Sequence, residues 1–423
     1  MHSFNPNTYT KYIGSPSRID ASIFSPILSV LRAHLIYYPT PQQFYYVFGV
    51  GSMLGVMFVV QVLTGILLAM HYVPSIDAAF DSVERIMREI PSGWLLRYLH
   101  ANGSSMIFIL LYTHIARGLF YQSYRTPRQW VWASGVIIFV LSAGIAFLGY
   151  TLPWGQMSFW GATVITNIIT AIPLIGDYVV TWVWGGFSVN TNTLNRFFSL
   201  HYILSIVVLG LSGVHLALLH EVGSTSVIGR ESSLDLVKFY PYFFLKDLFT
   251  FLVFLVIYLY FTIYTPNLFG HSDNYIEASP IVTPAHIVPE WYFLPFYAML
   301  KSLPSKLGGA VCMVAAMVIW IILPWWTDNY SLPADPVFRP FSTVLFNILV
   351  AVFAILGLLG AKVLVGALLI LSQSLTVVYF GYFVLVRWAS AVPFGGWYSS
   401  YYKSTLYYKF MHNKFYKKLN KYA

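Results

Sequence analysis

Apolar residues gather along this chain in runs of about twenty, the length a helix needs to span a hydrocarbon core of about 30 Å. Eight such runs stand out, near 49–71, 98–120, 131–150, 197–219, 248–265, 307–326, 341–360 and 363–386. Pro153, Trp154 and Gly155 close the third run. The stretch 156–187 that follows is amphipathic, rich in Trp and Gly, and too interrupted to cross. Such a segment is expected at the interface, capping the bundle on one side. The pattern predicts an all-α polytopic membrane protein of eight transmembrane helices, with a four-helix bundle built from the first four. It divides the chain into an N-terminal extension, 1–47, and a four-helix unit with its surface helices and inner loop, 48–247. A C-terminal membrane unit of four helices, 248–386, and a tail, 387–423, complete it.

Composition agrees: 58% of the 423 residues are hydrophobic and 9% charged, too little charge for the surface of a soluble protein of this length. The N-terminal forty-odd residues, rich in Pro, Ser, Tyr and Asn, show no signal-peptide pattern, so the chain is expected to insert through its own helices. With a single cysteine, Cys312, internal disulfides, thiolate-held clusters and covalent haem attachment are excluded. Lys and Arg set the orientation. The N-terminal extension, the loop around Arg125 and Arg128, the segment 221–247, Arg339 and the tail hold sixteen basic residues, against seven on the opposite side. The positive-inside rule puts both termini on the inner face. The tail carries seven basic residues and no acidic one, which reads as a surface for lipid headgroups or partner proteins rather than nucleic acid.

Against this apolar background the histidines are conspicuous. His100 and His114 lie fourteen residues apart in the second run, and His201 and His215 fourteen apart in the fourth. Fourteen residues is almost four turns, so each pair shares a helix face with its members about 21 Å apart along the axis. The second and fourth helices run in the same direction, which levels His100 with His201 and His114 with His215. Two imidazoles facing each other at each of two depths suit two non-covalent haems stacked across the membrane. A lone membrane histidine more often makes an interhelical hydrogen bond. The glycines argue for haem: Gly51 and Gly65 in the first run, and Gly135 and Gly149 in the third, repeat the fourteen-residue spacing. A flat macrocycle needs that clearance, although glycine also serves plain helix packing. Arg97, three residues before His100, and Arg117, three after His114, share faces with them and can reach propionates; Arg196 lies five before His201. Snorkelling to headgroups is the competing role for each. His71, His271 and His286 are read as structural. His220, beside Glu221, forms with Lys246 and Asp247 a polar group at the inner boundary suited to proton delivery.

Five stretches carry a resemblance: LTGILLAMHY at 63–72, RYLHANGSSM at 97–106, GYTLPWGQMSFWGATVITN at 149–167, HLALLHEVGS at 215–224 and PEWYFLPFYAMLKSLPSKLGG at 289–309. On these the chain resembles cytochrome b, the membrane subunit of ubiquinol–cytochrome c reductase (the cytochrome bc1 complex, respiratory complex III), from about Phe48 to Arg339. The resemblance implies that His100 and His201 ligate a low-potential b haem near the outer side, and His114 and His215 a high-potential b haem near the inner side. It implies a quinol-oxidation site between 149–167 and the Pro-Glu-Trp-Tyr motif, where Glu290 accepts a proton and Tyr150, Tyr292 and Tyr297 shape the pocket. The quinone-reduction site would use His220, Ser224, Lys246 and Asp247, with Ser52 from the first helix.

The implied activity couples ubiquinol oxidation and ubiquinone reduction to proton translocation. The implied partners are the Rieske iron–sulfur protein, cytochrome c1, the other complex III subunits, a second copy in a homodimer of the complex, and membrane lipids. The implied location is the mitochondrial inner membrane with both termini in the matrix, a bacterial plasma membrane being the alternative. Three departures stand out. The approach to the first helix reads YYVFGVGSM; the connection of the last two helices, LLGAKVLVGALL, is apolar where a polar loop is expected; and both terminal extensions lie outside the family core. Two other classes compete on the residues alone. A dihaem membrane reductase without quinone bifurcation predicts the histidine pairs but not Pro-Glu-Trp-Tyr, and a haem-free channel has no use for the matched glycines.

Overall fold

The computed structural model describes residues 25–227, 235–327 and 339–391. Most of the basic tail, and the first 24 residues of the N-terminal extension, lie outside the described residues. In chain order the helices are α1 (Ser25–Leu31), α2 (Val50–Ala69), α3 (Ala79–Arg88), α4 (Gly93–Phe120), α5 (Gln129–Thr151), α6 (Gln156–Asn167) and α7 (Gly176–Trp184). They continue as α8 (Thr191–Val222), α9 (Tyr242–Ile263), α10 (Leu294–Ser302), α11 (Lys306–Thr327), α12 (Pro340–Gly360) and α13 (Ala367–Ala391). Among the described residues eight are long and apolar enough to cross a membrane: α2 with the turn before it, α4, α5, α8, α9, α11, α12 and α13.

These eight are the runs read from hydropathy, with ends displaced by up to two turns. Polar caps account for one extension. Asn190 and Thr193 form a reciprocal capping box, in which Asn190 Oδ1 accepts from the Asn192 amide and Thr193 Oγ1 from the Asn190 amide, so α8 starts a turn and a half before its apolar run. The last connection also differs. Residues 361–366 turn rather than continue the helix: Lys301 Nζ donates to the carbonyls of Gly360 (2.8 Å) and Lys362 (2.9 Å), and Gly366 takes a left-handed φ of 53°. An apolar connector is tolerated there because a lysine from a neighbouring helix satisfies its carbonyls.

Helix α4 packs along α2 and α5 along α8, with α2 also touching α8; α9 covers α4, and α11 lies on α5. Helices α4 and α8, which carry the histidine pairs, do not pack closely on each other, so a cleft separates the two helix pairs. On the far side, α10 is wedged among α11, α12 and α13, with Phe296, Ala298 and Met299 fully buried. Aromatic packing joins the two halves: Phe108 of α4 stacks on Tyr292 with ring centres 3.9 Å apart and planes within 2°. Two buried polar side chains there satisfy each other and a carbonyl, as an apolar membrane favours. Trp320 Nε1 donates to Tyr379 Oη (2.8 Å), which donates in turn to the Ala316 carbonyl (2.6 Å). One small sheet occurs among the described residues, β1 (Pro39–Pro41) antiparallel to β2 (Leu236–Lys238), and it ties the N-terminal segment to the stretch before α9.

Candidate functional site

Across the cleft the four paired histidines meet at two depths. His100 of α4 faces His201 of α8 with ring centres 6.1 Å apart, and His114 faces His215 at 6.4 Å. An iron held between two imidazoles would separate their ring centres by roughly 6.4 Å, from two metal–nitrogen bonds of about 2.0 Å and a ring radius of about 1.2 Å at each end. Three of the four Nδ1 atoms meet a hydroxyl or carbonyl oxygen that can accept their N–H, which leaves Nε2 for a ligand. His100 Nδ1 lies 3.0 Å from Thr64 Oγ1, His201 Nδ1 2.8 Å from the Ile145 carbonyl, His215 Nδ1 2.9 Å from Ser134 Oγ, and His114 Nδ1 3.4 Å from the Arg117 guanidinium. The described residues contain no cluster of three or more metal-ligating side chains. Two imidazoles per level therefore suit an iron whose remaining ligands come from a macrocycle.

The matched glycines leave room for the histidine rings themselves. A Cβ on Gly65 would lie 3.1 Å from His100 Cε1, one on Gly51 3.2 Å from His114 Cε1, and one on Gly135 3.1 Å from His215 Cε1; one on Gly149 would run into His201. Each glycine thus opposes one histidine at its own depth. We expect Gly149→Val to push the His201 ring from its place and to weaken the outer-level haem absorbance selectively. A difference spectrum of the purified complex would show it, and full absorbance at both levels would contradict the assignment of this glycine.

Of the three arginines, two occupy the cleft. Arg97 lines a cavity of about 310 Å³ together with His100, His201, Gly65 and Gly149. Arg117 stacks over Phe48 at 5.2 Å, and its buried Nε has no hydrogen-bond partner among the described residues, a donor suited to a propionate. Arg196 is different: it donates to the Trp182 and Val183 carbonyls at the end of α7 and does not line the cavity. Five residues is about 500° of helix rotation, so Arg196 points some 140° away from His201. The expectation of a cofactor contact there is corrected.

Beyond the His100–His201 level, Glu290, Tyr150 and Tyr297 line one narrow apolar pocket with Phe147, Ile165 and Phe293. The Tyr150 hydroxyl bonds the Glu290 carboxyl. Burial raises the Glu290 pKa to about 7, against the smaller opposing effects of that hydrogen bond and of the Arg97 charge. Glu290 and Tyr150 also border the larger cavity, so these two residues stand between the two spaces. Tyr292 lines the larger cavity beside Glu290 but not the narrow pocket. The turn Trp291–Phe293 carries it into the core, where it stacks on Phe108 while its carbonyl accepts from Tyr112 Oη. The roof is held by Asn274 Oδ1, which accepts from Ser158 N and Oγ (both 2.9 Å), and by the Val282 carbonyl, which accepts from Gln156 Nε2 (3.0 Å) and Trp160 Nε1 (3.1 Å). These ties hold α6 under the segment leading to α10.

The candidates for quinone reduction fall into two groups. Ser52 Oγ donates to Asp247 Oδ2 at 2.6 Å, and Lys246 Nζ donates to the Phe44 carbonyl at 2.8 Å. His220 instead meets His34 and Tyr38 of the N-terminal segment. Ser224 is anchored through its carbonyl, which accepts from Arg128 Nη2 (3.2 Å), while the Gly223 carbonyl accepts from Arg128 Nε (2.7 Å). His34 and Arg128 were not legible as site residues: one is a lone histidine in an aperiodic stretch, the other one of two loop arginines.

Comparison with known proteins matches this architecture. The family described as Cytochrome b/b6/petB matches residues 35–223, and Cytochrome b(C-terminal)/b6/petD matches 277–380. Cytochrome b of Chondrus crispus is 50% identical over 361 residues, covering 85% of this chain and 94% of the relative. Cytochrome b of Phytophthora megasperma is 55% identical over 334 residues, covering 79% and 87%. A solved chain of "Hyperthermophilic respiratory Complex III" superposes with a TM-score of 0.82 at 31% identity, covering 88% of this chain and 98% of that one. The chain therefore belongs to the cytochrome b family, the haem b-binding electron-transfer membrane subunit of the bc1 complex, respiratory complex III.

Proposed function

We propose that this chain is the quinol-oxidising and quinone-reducing catalytic subunit of a mitochondrial ubiquinol–cytochrome c reductase, active within the complex. The observation that carries the reading is the pair of level imidazole couples, each ring opposed by its own glycine. His100 with His201, and His114 with His215, would hold a low-potential and a high-potential b haem, with Arg97 and Arg117 on the propionates. Haem, when bound, supplies one-electron redox chemistry at each depth.

The chain's own residues handle position and protons. In the outer pocket Glu290 takes a proton from ubiquinol, and its border with the larger cavity gives that proton a way out toward Arg97 and the outer face. Tyr150 orients the carboxyl, and Tyr297 closes the pocket wall. At the inner face Asp247, steadied by Ser52, and His220 deliver protons to reduced ubiquinone, while Lys246 keeps a positive charge beside them. Taking protons up inside and releasing them outside separates charge by placement alone. The high-potential branch needs a Rieske iron–sulfur protein and cytochrome c1, since this chain has no thiolate or other group for it, and the complex is a dimer in the inner membrane with both termini in the matrix.

In the assembled complex, Asp247→Asn is expected to slow quinone reduction by about tenfold with both b bands retained, the scale on which a single positioned acid–base group acts. Steady-state turnover with quinol and cytochrome c measures this, and an unchanged rate would remove Asp247 from the inner site.

A further inference from the structure

The inner surface holds a third imidazole pair outside the haem cleft. His34, in the short helical segment Arg32–Ile36, faces His220 near the end of α8 with Nδ1 to Nδ1 at 2.7 Å, planes within 4° and ring centres 4.9 Å apart. Tyr38 stacks on the His220 ring at 4.2 Å. The segment is pinned rather than loose: besides the β1–β2 pairing, the Phe239 amide donates to the Tyr38 carbonyl (2.9 Å) and the Tyr240 amide to the Ile36 carbonyl (3.2 Å). His34 is exposed to solvent, whereas His220 is half-buried beneath it.

Two Nδ1 atoms at hydrogen-bond distance carry one proton between them, one ring donating and the other accepting. A neutral imidazole that gives its Nε2 proton to a substrate must gain one at Nδ1, or it is left as an anion. The only side chain hydrogen-bonded to His220 Nδ1 among the described residues is His34. Resting on the assignment of His220 to the quinone-reduction site, we propose that His34 is the proton donor behind His220, making the N-terminal segment the water-facing end of a two-imidazole relay. The step balances. The His220 Nε2–H bond breaks as an O–H bond forms on the reduced quinone, and the His34 Nδ1–H bond breaks as a proton joins His220 Nδ1. His34 recovers a proton from water, exchange with water restores both tautomers between turnovers, and no electron passes through the pair. His34 acts through His220 and is a positioning residue for the proton, not a contact of the quinone.

The test uses the assembled complex carrying His34→Ala or His34→Gln, with inner-site quinone reduction followed after a quinol pulse and both b bands checked for assembly. His34→Ala is expected to slow this step about tenfold, the scale of a lost acid–base group. Free imidazole in the buffer should restore it, whereas His34→Gln, which keeps a hydrogen bond but cannot pass a proton, should stay slow. The infrared difference spectrum of quinone reduction should lose imidazole bands in both variants. Wild-type rates in His34→Ala, full rates in His34→Gln, or failure of imidazole to rescue would each overturn the relay. His220→Gln separates the two levels of inference: if it reduces quinone normally, the site assignment itself falls, and if it is slow while His34→Ala is normal, only the role of His34 falls.

Discussion

Replacing His215 with Leu is expected to remove one b haem and abolish electron transfer through the subunit. Leu inserts into a membrane helix at least as well as His, so α8 keeps its place and the loss is confined to the ligand. His215 is half of the inner couple, its ring 6.4 Å from His114 and its Nδ1 held by Ser134. Without it His114 would be left as the one member of that imidazole couple to hold a haem. The outer couple, His100 with His201, should retain its haem, so the b-band amplitude of the purified complex should fall by about half. His100→Leu should give the mirror result at the outer level. Full amplitude in either variant would exclude that histidine as a ligand.

Glu290→Gln is expected to keep both haems and slow quinol oxidation on the order of a hundredfold. Its carboxyl faces the narrow pocket, hydrogen-bonded by Tyr150, with a pKa raised to about 7 by burial. Only the ionised form accepts a proton, and its fraction grows as pH rises toward 7, so the native rate should climb about tenfold per unit on the acid side and flatten above. The amide neither accepts that proton nor titrates, so the variant should lose both the rate and this limb of the profile. A profile of quinol oxidation from pH 5 to 9 measures it. Native turnover in the variant across that range would show that Glu290 is not the proton acceptor.

The spanning helices and the paired histidines were legible because each breaks a rule of its surroundings. Twenty apolar residues have no use in water, and an imidazole has little use in lipid. A fixed rise per residue converted the spacing into depth, so the couples His100–His201 and His114–His215 followed before any packing was known. Three kinds of detail were not legible. The Nδ1 partners Thr64 and Ser134 look like ordinary hydroxyls of membrane helices, which bond their own carbonyls, as Thr64 also does to Val60. Arg196 was placed by nearness in sequence, but helical rotation decides direction, and five residues turned it onto the end of α7; Tyr292 was placed by the resemblance, and the turn Trp291–Phe293 sets it in the wall of the larger cavity against Phe108 rather than in the narrow pocket. His34 reaches His220 only because β1 pairs with β2, a contact spanning about two hundred residues that no local pattern encodes.

The assignment of two b haems to the imidazole couples at two depths is tested most directly by a potentiometric titration of the b-band absorbance of the intact complex. Two one-electron waves of equal amplitude and different midpoints are expected, the inner one absent in His215→Leu and the outer one absent in His100→Leu. A single wave, or two waves that both survive either substitution, would contradict the assignment of the four histidines.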